Sequence, residues 1–158
     1  MTMSSSLIYQ IQTVGGLAIC LFALWKGGAP ERFGASLIVA MIVLTRVVAA
    51  LVPETAVPVV RLTTDGLTAV GLLVVALAYG SLWIGGVMLL YAAQFTLHSY
   101  YFVTTHPIDR FHAIVNNVDF FGIHLCLVLG TLVAWRQRVV SARRSAAVAA
   151  ATAAAPSI

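Results

Sequence analysis

The chain has 158 residues, of which 61% are hydrophobic and 9% charged. A soluble domain carries about 25% charged residues, so this chain lacks the polar surface needed to coat a water-soluble particle. The formal net charge of +4 does not mark a nucleic-acid binder, because Arg136, Arg138, Arg143 and Arg144 gather just after the last apolar stretch, where basic residues orient a membrane protein or meet anionic lipid.

Five apolar stretches are predicted as membrane helices, over residues 7–25, 35–52, 62–80, 82–103 and 117–135. Each is about 20 residues long, enough at 1.5 Å per residue to cross a hydrocarbon layer of about 30 Å. The first has no basic residue before it and is followed by Lys26, the reverse of a cleavable signal, so it is expected to persist in the mature protein. Cys20 and Cys126 fall inside apolar stretches and read as small hydrophobes. Gly15, Gly16, Gly71, Ala92 and Ala93 are candidate points of close helix approach. A charged Gly/Pro loop separates the first two stretches, Lys26-Gly27-Gly28-Ala29-Pro30-Glu31-Arg32, and Pro53-Glu54-Thr55-Ala56-Val57-Pro58 separates the next two. Only Tyr79-Gly80-Ser81 divides the third from the fourth, which calls for a tight turn with Gly80 at positive φ. Leu-Trp-x-Gly-Gly occurs at residues 24–28 and again at 82–86, a repeat that interface preference and chance explain better than duplication.

Orientation follows from the basic residues. With the N-terminus outside, Lys26, Arg32 and the C-terminal arginines face the cytoplasm and only the loop residues Arg61 and Arg110 face out, as the positive-inside rule prefers. Trp25, Trp83 and Trp135 then lie near the inner interface, where indole rings are favoured. The expected fold is an all-α polytopic membrane bundle of about five transmembrane helices, N-terminus outside and C-terminus cytoplasmic. Residues 1–140 form the bundle, and an Ala-rich tail follows over 141–158, frayed or disordered from Ser145 on. The composition suits a multi-pass protein of a bacterial inner membrane.

Ionisable side chains are costly within a membrane and each needs a partner. Arg46 in the second stretch and Asp65 at the start of the third lie toward the same outer side, so either the two form an ion pair, or Arg46 snorkels to the outer headgroups while Asp65 sits favourably at a helix N-terminus. Tyr91, Gln94, His98 and Tyr101 recur at helical spacing and form one polar stripe, which should face other helices or a water-filled cavity. Across residues 105–119, two helix starts compete. A start near Pro107 lines up Asp109, His112, Asn116 and Asp119 as a second stripe; a start near Asn117 makes Asn116 an N-cap and Asp119 an N3 residue.

All four histidines lie between residues 98 and 124. The leading reading has His98 and His124 hydrogen-bonded within the bundle, with His106 and His112 ordinary loop or interface residues. A second reading is haem b held between His98 and His124, whose depths match. A third is a divalent metal or proton site at the outer surface, drawing on His98, His112, His124, Asp109 and Asp119. There is no phosphate-binding Gly loop, no Cys-x-x-Cys, no compact His-x-x-x-His and no Gly-x-Ser-x-Gly elbow.

The residues expected to line an outer-facing polar pocket are Arg46, Asp65, Tyr91, Gln94, His98, Tyr101, His112, Asn116, Asp119 and His124. The leading expectation is a non-catalytic protein without a cofactor: an accessory or assembly subunit, or a small-ligand-binding or sensor protein. The alternatives are a haem- or metal-binding oxidoreductase component and a small transporter or proton pathway. The last is weakened by an inner half with no deep ionisable residue. Partners would be membrane lipids, a membrane protein or further copies of the chain, and not nucleic acid.

Overall fold

The structure, a computed structural model, describes residues 3–105, 107 and 109–154. Its elements are α1 (Met3–Lys26), α2 (Ala29–Leu51), a 3-10 turn (Glu54–Ala56), α3 (Val57–Tyr79), α4 (Leu82–Thr104) and α5 (Arg110–Ala154), with no strand among the described residues. Short connections make successive helices antiparallel neighbours. Each helix packs on the next, and α5 returns to α1, so the bundle closes as a ring of five.

Three spans are long and apolar enough to cross a membrane: Ala29–Leu51, Glu54–Tyr79 and Arg110–Ala153. The outer surface matches that reading, because Leu51, Val70, Leu77, Leu89, Phe121 and Leu125 all stand exposed on it. The interior is small. Cys20, Ala23, Ala35, Ile38, Leu72, Ile84, Val87, Ile123 and Leu127 form one buried cluster across the ring. Without a hydrophobic drive between helices in lipid, packing and interhelical hydrogen bonds hold such a ring.

The helix ends follow local chemistry. α2 starts at Ala29, earlier than the apolar pattern suggests, because Pro30 suits a first turn and Glu31 turns back to accept the Gly28 N–H at 2.8 Å. The charged loop therefore shrinks to Gly27-Gly28. Pro58 likewise sits in the first turn of α3. The tight turn after α3 is present: Gly80 has φ +60° and its N–H bonds the Ala76 carbonyl at 2.8 Å. α5 is 45 residues long, about 68 Å at 1.5 Å per residue. It continues as helix through Ala154, exposed from Arg136 to Ala153, where the sequence reading places a frayed tail. Alanine's helix propensity accounts for that continuation without packing.

The end of the bundle that carries Lys26 is tied together by a buried carboxylate. Glu31 is 3% exposed, and its second oxygen accepts the Trp83 indole N–H at 2.8 Å. Both oxygens are thus satisfied, which a buried carboxylate requires. Trp83 is half-buried between glycines of α2 and α5. A Cβ on Gly130 would come within 2.5 Å of its ring and one on Gly34 within 3.1 Å. Arg138 donates to the Lys26 carbonyl, and the Lys26 ammonium lies 4.1 Å from the Trp25 ring centroid and 5.4 Å from that of Trp135. The two Leu-Trp-x-Gly-Gly segments are not structural equivalents: the first ends α1 and the second begins α4.

Replacing Gly130 by Ala should lower bundle stability by about 1–3 kcal/mol, because Trp83 must move. Gly85→Ala, where a Cβ meets nothing within 4 Å, should be neutral or gain up to about 1 kcal/mol. Thermal unfolding of both variants in detergent separates the two outcomes.

Candidate functional site

At the other end of the bundle the five helices part around a cavity of about 290 Å³. The C-terminal half of α2, the start of α3, the C-terminal half of α4 and the first turns of α5 meet there, with the middle of α1 closing the side. The start of α5 resolves the competing helix starts. Asp109 accepts the His112 N–H at 2.9 Å, so Asp109 caps a helix that begins at Arg110. Pro107 lies before the helix, and Asn116 and Asp119 lie within it, so the capping roles expected of them do not apply.

Arg46, Asp65, Tyr91, Gln94, His98, His112, Asn116 and His124 all line the cavity; Tyr101 and Asp119 do not. Tyr101 instead donates to Asp109 at 2.6 Å and meets the His112 ring edge-on at 4.8 Å. Asp119 is 3% exposed, and its Oδ2 has no hydrogen-bond partner among the described residues. His106 lies outside the described residues. Of the glycine and alanine positions, Gly16 and Gly71 do permit close approach, against His124 and Leu37. Gly15 meets nothing within 4 Å, and Ala92 and Ala93 face outward.

The expected Arg46–Asp65 pair does not form. Asp65 is engaged by His98, whose Nδ1 lies 2.6 Å from Oδ2, and Arg46 reaches Thr13 on α1 at 3.2 Å. The reason is geometric: α3 and α4 are packed neighbours, so His98 meets Asp65 across one helix contact. The His98 ring stacks on His112, with centroids 5.4 Å apart. Amide contacts knit the rim, Gln94 to Asn116 at 3.4 Å and Gln12 to Asn117 at 2.9 Å.

Deeper in, Thr64 and Thr68 hydrogen-bond the carbonyls of the preceding turn, at 2.9 Å to Val60 and 2.6 Å to Thr64. That leaves hydroxyl lone pairs at the wall. His124 is 5% exposed; its Nδ1–H donates to the Phe120 carbonyl at 2.7 Å, and its Nε2 has no hydrogen-bond partner among the described residues. Nε2 lies beside Gly16, where a Cβ would come within 2.6 Å.

These contacts do not suit haem. His124 Nε2 is set against the backbone of α1, leaving no space for a macrocycle between it and His98, and a cavity of about 290 Å³ is below the size such a group needs. Among the described residues, no group of three His, Cys, Asp or Glu side chains converges to hold a metal ion.

Sequence reasoning missed Arg61, Gln12, Thr13, Thr45, Thr64 and Thr68 as lining residues. Thr64 and Thr68 carried a readable signal, two hydroxyls one turn apart in an apolar helix. Glu31 was also missed as a buried group. Its signal was the Pro-Glu helix start. A second, open groove of about 720 Å³ lies on that side, lined by Gly28, Glu31, Trp83, Gln137 and Arg138 among others.

Asp65→Ala and His98→Ala should be non-additive in a thermal double-mutant cycle, with a coupling of about 0.5–3 kcal/mol, whereas Arg46→Ala and Asp65→Ala should add. Coupling confined to Arg46 and Asp65 would contradict the geometry described.

No protein-family model, curated protein or solved structure matches this chain.

Proposed function

We propose that this chain is a small multi-pass membrane protein that binds a small molecule in the cavity at its outer end, as a ligand-binding or sensor protein rather than an enzyme. One observation carries the reading: polar side chains from all five helices converge on one cavity of about 290 Å³ at this end of the bundle. In a bilayer, polar groups held open toward a cavity are expensive and mark a site.

On this reading all five helices cross the membrane, with the N-terminus outside. Lys26, Arg32, Arg136, Arg138, Arg143 and Arg144 then face the cytoplasm. The cavity opens outward, and the buried cluster of Ile38, Leu72, Ile84, Val87 and Leu127 closes the bundle beneath it. That closed floor favours a dead-end binding site over a transport path.

Native mass spectrometry of the full chain released from mild detergent tests the proposal. A discrete small-molecule adduct is expected, reduced at least tenfold by Thr45→Phe, which places a ring in the cavity. An adduct equally retained by that variant, or none in either protein, would count against a ligand site here.

A further inference from the structure

The open groove of about 720 Å³ at the end bearing Lys26 changes character along its length. It lies between the α3–α4 turn and α5, beside the start of α2. On α5 its lining passes from Leu129, Gly130, Val133 and Ala134 to Gln137, Arg138 and Ser141. That stretch rises about 18 Å, and the change falls at Trp135. Trp135 and Trp25 both stand exposed, with the Lys26 ammonium close to each ring. Indole and ammonium side chains collect at the level of lipid headgroups. The apolar part of the groove is therefore at acyl-chain depth and its polar part at headgroup depth, which is the polarity profile of a phospholipid.

Charge selects the headgroup. This end carries Lys26, Arg32, Arg136, Arg138, Arg143 and Arg144 against a single carboxylate, Glu31. Glu31 is buried, and its oxygens accept the Gly28 N–H and the Trp83 indole N–H. Within the groove, Arg138 donates from Nε and Nη2 to the carbonyls of Ala134 and Lys26. Both acceptors are neutral, so the charge of Arg138 is not offset. A guanidinium has five N–H donors, so donors also remain for a phosphate oxygen.

We infer that this groove holds one anionic phospholipid. Its phosphate sits at Gln137, Arg138 and Ser141, and the upper part of an acyl chain runs along Val133 and Leu129. Leu82 at the start of α4, 95% exposed, is covered by the same chain. The site is separate from the cavity at the outer end, and the inference rests only on the bundle spanning a membrane.

The test is native mass spectrometry of the full chain in mild detergent with equal amounts of dioleoyl phosphatidylglycerol and dioleoyl phosphatidylcholine. The two probes share acyl chains and differ in headgroup charge. One phosphatidylglycerol adduct is expected, at least about fivefold above the phosphatidylcholine adduct. Arg138→Gln should lower it about fivefold, the effect of one cation near an anionic headgroup. Ser141→Glu, at an exposed position, keeps Arg138 and should lower it as much by repelling the phosphate. Arg136→Gln removes the same charge within about 3 Å of the same depth, from a residue outside the groove lining, and should leave the adduct within about twofold. Equal retention of the two lipids overturns the anionic headgroup. Equal loss in Arg136→Gln and Arg138→Gln overturns the groove in favour of diffuse attraction to the surface. Displacement by excess glycerol 3-phosphate reduces the ligand to its phosphate and overturns the acyl contact. A lipid-free dimer gives the groove to a second copy, and a wild-type chain without any lipid adduct leaves it unclaimed; either result ends the proposal.

Discussion

Lipid offers no hydrogen bond, and that single fact organises the bundle. Every polar side chain on these helices must find its partner in its own backbone, on another helix or in an enclosed space. Thr45, Thr63, Thr64, Thr68, Thr96 and Thr131 take the first route, each donating to a carbonyl one turn back. Asp65 with His98 and Glu31 with Trp83 take the second. Several of these same residues also line the cavity, and they give it its chemical character.

The two ends of the ring solve the problem differently. At the end bearing Lys26, a carboxylate is buried with both oxygens satisfied and an indole is wedged between glycines, so the interior of that end is committed to structure. At the opposite end, amides bridge the rim, two imidazoles stack, and a third imidazole keeps one nitrogen unmatched. Satisfied polar networks rigidify and unsatisfied ones mark where something else belongs. The functional reading follows this asymmetry rather than any motif.

Much of this was legible in the sequence. The apolar stretches, the Gly80 turn and the Tyr91–Gln94–His98 stripe needed only length, punctuation and helical period. What was not legible was which helices are neighbours. Equal depth made Arg46 and Asp65 look like partners, but α3 packs against α4 as well as α2, and His98 occupies the position next to the carboxylate. Tyr101 shares the stripe's spacing yet leaves the cavity, because the Asp109 cap draws its hydroxyl toward the start of α5. Glu31 looked like a loop residue because its partner, Trp83, lies far away in the chain. Helical period fixes a face; only the closed ring decides what that face meets.

The glycine notches restrict how the ring can move. His124 of α5 fits the notch at Gly16 of α1, while Gly130 of α5 is itself the notch for Trp83 of α4. α5 is therefore keyed to both of its ring neighbours at points about 9 Å apart along its axis. Sliding it lengthwise by a turn would drive two rings into backbone at once. Tilting or swivelling about those keys leaves both seated, so rearrangement at the cavity mouth is channelled into angular motion and not into piston strokes.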